Sequence, residues 1–87
     1  MTISLPEPIK TMLQHADDTL AAGDAAKAET EYLFAFDYAS KVFHELSPVT
    51  GLVLLRLTRF YEQTNQKHKA AIALGRTNAI ITAHLSS

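Results

Sequence analysis

Residues 22–39 read AGDAAKAETEYLFAFDYA. Gly23 suits the left-handed conformation in which helices stop, and Asp24 suits the capping of a free backbone N–H at the next helix start. Ala25, Ala28, Tyr32, Ala35, Ala39 and Val42 follow in steps of three and four, one face of an α-helix. The same grammar returns later in the chain. Asn65-Gln66 makes a second corner, and Ala70, Leu74, Thr77 and Ile81 follow it. Ala28 and Ala70 are 42 positions apart (70 − 28), as are Tyr32 and Leu74 (74 − 32). The chain therefore carries two copies of one helical hairpin.

Outward from this segment, helix one is expected from about residue 7 to 22. Pro8 sits at its start, where a missing N–H is harmless. Its apolar positions are Ile9, Met12, Leu13, Ala16, Leu20 and Ala21. Helix two is expected from 25 to about 46 and is rich in aromatics: Tyr32, Phe34, Phe36, Tyr38 and Phe43. Ser47-Pro48 ends it, serine capping and proline opening helix three over about 48–64. Leu52, Val53, Leu54, Leu55, Leu57, Phe60 and Tyr61 make helix three the most hydrophobic element. Helix four is expected over about 66–84. Gly75 in its interior suggests close backbone packing. No run reads as a strand. The expected fold is all-α, one domain over 1–87, with two antiparallel helix hairpins (about 8–46 and 48–85) stacked side by side. An unrelated four-helix bundle is the alternative.

On these residues the chain resembles the tetratricopeptide-repeat family. In that family the second helix of each repeat carries a small residue, an aromatic and a small residue after a Gly-Asp-like turn. Gly23-Asp24, Ala28, Tyr32 and Ala35 match, and Asn65-Gln66, Ala70, Leu74 and Thr77 form the second copy. In the first helices, Ala16 and Thr58 stand where the family has its small residue at the helix crossing. Tyr61 matches the aromatic three positions on, and Thr19 does not. A repeat of 42 residues rather than about 34 resembles the kinesin-light-chain type. The resemblance implies a short α–α superhelix whose first helices line a concave, peptide-binding face. That face maps onto Leu13, Asp17, Leu20, Leu55, Arg59 and Glu62. Some members hold a chaperone's C-terminal carboxylate with a lysine and asparagine clamp. Leu13 and Leu55 occupy the lysine position here, and Asp17 and Arg59 the asparagine position, so that activity is not expected.

Composition narrows the function further. The chain has no cysteine, which excludes disulfides and thiolate metal sites and fits a cytoplasmic location. MTISLPEPIK does not read as a signal peptide, and no run has transmembrane length. Residues 1–45 hold eight acids and three bases (−5), and residues 46–87 one acid and five bases (+4). The halves either form two solvated faces or attract each other. Five bases are too few for a nucleic-acid surface. His15, His44, His68 and His84 show no metal-ligand spacing, and Asp17-Asp18 points its carboxylates to different sides of a helix, as a solvated face would. No cofactor and no enzymatic activity is expected. Two functions remain: a module that binds a peptide or protein segment, or a self-associating subunit, homodimeric or attached to an enzyme. Two repeats are fewer than the three or so that bury a continuous core. Helix four adds Ile72, Ile80, Ile81 and Leu85, with no polar helix behind it. A homodimer through helix four, joined by helix-two aromatics, is the expectation.

Overall fold

In the computed structural model, which describes residues 5–85, four helices follow one another: α1 (Glu7–Ala21), α2 (Ala25–Phe43), α3 (Pro48–Gln63) and α4 (Lys67–Leu85). The first corner forms as its residues dictate. Gly23 has φ +95°, its amide donates to the Leu20 carbonyl (2.9 Å), and the Asp24 amide donates to that of Thr19 (3.2 Å). The Asp24 carboxylate then accepts the Lys27 amide at 3.1 Å, capping α2. At the third corner, Asn65 takes φ +60° and the Gln66 amide closes onto the Tyr61 carbonyl at 2.8 Å. Asparagine is one of the few non-glycine residues that accept this conformation readily.

α2 stops at Phe43, three residues short of the expected Leu46. Pro48 forces the cause. The residue before a proline is pushed out of the helical region, and Ser47 accordingly has ψ 145°. The chain must leave α2 early enough to reach that extended cap, and it does so at His44, with φ +91°. Two bonds hold the bend: Thr50 Oγ1 donates to the His44 carbonyl (2.7 Å), and the Leu46 amide donates to His44 Nδ1 (3.1 Å). Ser47 Oγ accepts the Val49 amide at 3.2 Å and starts α3.

Extensive packing joins α1 to α2, α2 to α3 and α3 to α4. The helices therefore form a serial stack and not a ring closed between first and last. Overall dimensions are 41 × 29 × 23 Å. Ala16, Ala28, Ala35 and Ala39 are fully buried, and their small side chains let α1 and α2 approach closely. α3 lies between α2 and α4 and supplies the bulk: Val53, Leu54, Leu57, Phe60 and Tyr61 are all buried. Tyr32 and Phe60 stack with ring centres 5.1 Å apart, and Phe60 and Tyr61 at 5.4 Å.

The stripe on α2 is buried from Ala28 to Ala39, but Val42 is 56% exposed because the helix ends beside it. The stripe on α4 is displaced from its expected line. Its buried residues are Ala70, Ala73, Thr77 and Ile80, whereas Leu74 and Ile81 stand 46% and 50% exposed. α2 is covered by a helix on both sides, while α4 packs extensively on α3 alone. Gly75 does not mark a close approach either: a Cβ there would meet nothing within 4 Å. The close approach is at Gly51, where a Cβ would lie 3.4 Å from Ile80 Cγ2.

Two ion pairs join the acidic and basic halves. Asp17 on α1 pairs with Arg56 on α3, and Glu29 on α2 pairs with Lys69 on α4 at 3.0 Å. The attraction between halves acts inside one molecule at these points. No helix among the described residues is long and apolar enough to cross a membrane.

Candidate docking surface

An apolar groove runs between α3 and α4. It has a volume of about 350 Å³. Gly51, Leu52 and Leu55 form its α3 wall, and Ile80, Ile81 and Leu85 its α4 wall. Ile80 fills the floor beside Gly51, where an added Cβ would sit in ordinary contact with its Cγ2 at 3.4 Å. The rim is strongly exposed on the α4 side, with Ile81 at 50% and Leu85 at 82%. Its one titratable side chain, His84, is tied to the Leu46 carbonyl at 2.7 Å.

A second, polar groove of about 420 Å³ lies between α1 and α3. Asp17, Leu20, Arg59 and Gln63 form its rim, with Tyr32, Arg56 and Phe60 below. Three helices meet at Asp17. Its carboxylate accepts the Tyr32 hydroxyl of α2 and pairs with the Arg56 guanidinium of α3. It is thus a structural junction, against the expectation of a solvated face. Burial, together with the Asp17 carboxylate it donates to, pushes the Tyr32 phenol up to about 12. A similar junction stands at Glu29. Tyr61 donates to its carboxylate at 2.9 Å, and Lys69 donates at 3.0 Å while lying 5.6 Å from the centre of the Tyr61 ring. The lysine bond holds the Glu29 carboxyl below its ordinary value, aided by the tyrosine and opposed by burial. Burial, together with the Glu29 carboxylate, lifts Tyr61 to about 12.

The six residues mapped to the concave face do not form one surface. Asp17, Leu20 and Arg59 share the polar groove, while Leu55 belongs to the apolar one. Leu13, 2% exposed, is core and lines neither. Its side chain falls on the stripe with Ile9 and Ala16 that packs on α2. Glu62 is exposed and lies outside both grooves. Of the residues expected to self-associate, Ile72, Ile81 and Leu85 are exposed, but Ile80 is 4% exposed and holds α4 to α3. The helix-two aromatics are largely used internally. Tyr32 is buried, and Phe36, Tyr38 and Phe43 pack against the core, leaving Phe34 at 62% exposure. Phe36 also lies under the Arg76 guanidinium, 4.8 Å from the ring centre.

Sequence reasoning missed Leu52 as a groove residue and Glu29–Tyr61–Lys69 as a junction. The acidic-to-basic split of the halves was the available signal for the latter. Among the described residues no group of three histidine, aspartate or glutamate side chains could hold a metal ion. No family model, curated protein or solved structure matches this chain.

Proposed function

We propose that this protein is a non-catalytic protein–protein interaction module whose docking surface is the groove between α3 and α4. The exposed aliphatic row on α4 beside that groove carries the reading. A contiguous row of exposed large apolar side chains marks a surface that gains by being covered. The groove's lining offers adhesion and shape, with no convergent polar groups to do chemistry. The likeness to tetratricopeptide repeats, a family of binding modules, supports the same reading. The lack of cysteine suits a cytoplasmic setting. The ligand chemistry that fits is an amphipathic helix with anchors at i, i+3, i+4 and i+7. Nothing in the groove recommends nucleic acid, a cofactor or a lipid headgroup.

Displayed peptide libraries panned on the purified protein test this. Selected peptides should carry an aliphatic stripe at helical spacing and lose binding to Leu55→Glu. Circular dichroism should show that variant still folded. Peptides that bind Leu55→Glu and Leu52→Glu as well as they bind the parent would place the docking surface elsewhere.

A further inference from the structure

We infer that the occupant of this groove is a second copy of the chain, joined through α4 about a twofold axis with the two α4 helices antiparallel. This rests on reading the groove as a docking surface and names what docks there.

The 42-residue offset shows what α4 lacks. α2 carries Tyr32 on its stripe with Phe36 and Phe43 beside it, and Tyr32 is covered by Phe60 of α3. Forty-two positions later stand Leu74, Asn78 and Leu85. Leu74 and Leu85 are 46% and 82% exposed. α4 thus repeats a receiving flank that no helix among the described residues covers. Ala71, Leu74, Asn78, Ile81 and Leu85 follow in steps of three, four, three and four, the spacing of a helix-pairing seam. All five are exposed. Asn78 stands at the middle of the seam, where a polar residue can fix register between paired helices.

A head-to-tail stack would cover that flank with α1 of the next copy, as α3 covers α2. The same offset excludes it. Phe60, Leu57 and Val53, the apolar core residues of α3, correspond to Asp18, His15 and Thr11 of α1. All three are exposed and polar. Burying Asp18 against Leu74 would strand a charge in an apolar contact. α1 therefore does not complete that flank, whereas a contact of α4 with itself is self-complementary and stops at two copies.

Charge selects the antiparallel arrangement. α4 holds Lys67, Lys69 and Arg76 in its first ten residues and no carboxylate at all. A parallel pair would set Lys67 against its own twin. An antiparallel pair sets Lys67 beside the carbonyl end of the partner's α4, where the helix dipole welcomes a cation. The size of the contact bears on whether the dimer is permanent. At about 1.5 Å per residue the 19 residues of α4 span about 28 Å. With the exposed shoulder of α3 the face is about 20 Å wide, two helix widths. The area, about 560 Å² per copy, is below the roughly 800 Å² of a standard interface. A contact this small suits a reversible monomer–dimer equilibrium and not a permanent dimer.

Light scattering with size exclusion, loaded at about 100 μM, should give twice the chain mass of 9.6 kDa, moving toward 9.6 kDa on dilution. Ile81→Glu and Leu74→Glu should hold the mass at 9.6 kDa with an unchanged circular dichroism spectrum. The cysteine-free chain allows a second readout. Asn78→Cys should form a disulfide-linked dimer on mild oxidation. Leu74→Cys mixed with Ile81→Cys should cross-link better than either alone, and Gln14→Cys should not cross-link. A parent that stays at 9.6 kDa at this concentration overturns the inference. If Leu55→Glu still abolishes peptide capture, the docking surface stands with another protein as occupant; if it does not, both readings fail. Species larger than a dimer, cross-linking through Gln14→Cys, or a dimer indifferent to Ile81→Glu would each overturn the proposed geometry.

Discussion

Replacing Asp17 with asparagine removes the charge at which three helices meet while keeping the size of the side chain. The Tyr32 hydroxyl loses a charged acceptor and Arg56 loses its ion partner. Hydrogen bonds to charged groups contribute about 1.5–3 kcal/mol when well shielded. The Arg56 and Asp17 side chains are 34% and 35% exposed, so solvent screening reduces their pairing to about 0.5–1 kcal/mol. Asparagine can still accept from Tyr32, returning part of the first contribution. The expected net loss is about 1–2 kcal/mol. For 87 residues, a total stability of about 4–13 kcal/mol is usual, so the variant should remain folded with a clearly lower urea midpoint. Equilibrium urea unfolding followed by circular dichroism measures it. A double-mutant cycle with Tyr32→Phe should show coupling of about 1 kcal/mol. Added salt should weaken the coupling to Arg56 more than the coupling to Tyr32. A loss under about 0.5 kcal/mol, with no coupling in either cycle, would refute Asp17 as a junction and return it to the solvated face.

Phe60→Ala empties the largest fully buried side chain in the core and should lower the unfolding free energy by about 3–5 kcal/mol, measured by the same urea curves. Gly75→Ala should raise it by about 0.5–1 kcal/mol, since the helix is open there; Gly23→Ala, at φ +95°, should lower it. Glu29 has its carboxyl below the ordinary value of 4.5 in the folded state. Its contribution is therefore full above pH 4.5 and is lost as pH falls through the lower folded value. Glu29→Gln should flatten the acid limb of stability against pH. Tyr32 and Tyr61 should ionise together at about 12 in an ultraviolet phenolate titration, and near the ordinary value of 10 in urea. The unfolded chain then gives up its phenolic protons first, so stability should fall as pH rises above 10.

Local chemistry made the four helices legible. Gly23, Asp24, Ser47, Pro48 and Asn65 act on their immediate neighbours through dihedral limits and capping bonds, and they stand where those limits require. Periodicity located Ala28, Tyr32, Ala35 and Ala39, because α2 has neighbours on both sides and its stripe is used from Ala28 to Ala39. It put Leu74 and Ile81 on the stripe of α4, yet both stand half exposed, because a stripe states which face is oily and not whether another helix covers it. Charge counting located the attraction between halves but not its members. Asp17 and Glu29 reach partners 39 and 40 positions away, a separation that no window along the chain contains. The roles of Leu13 and Leu55 likewise parted only in three dimensions. They share one repeat position, yet α1 turns Leu13 onto α2 while Leu55 faces the open end beside α4. What the sequence alone determined was where the chain turns and which faces are apolar. The tertiary structure decided which of those faces stay open, since burial depends on the helices alongside, and among the described residues α4 packs extensively on α3 alone.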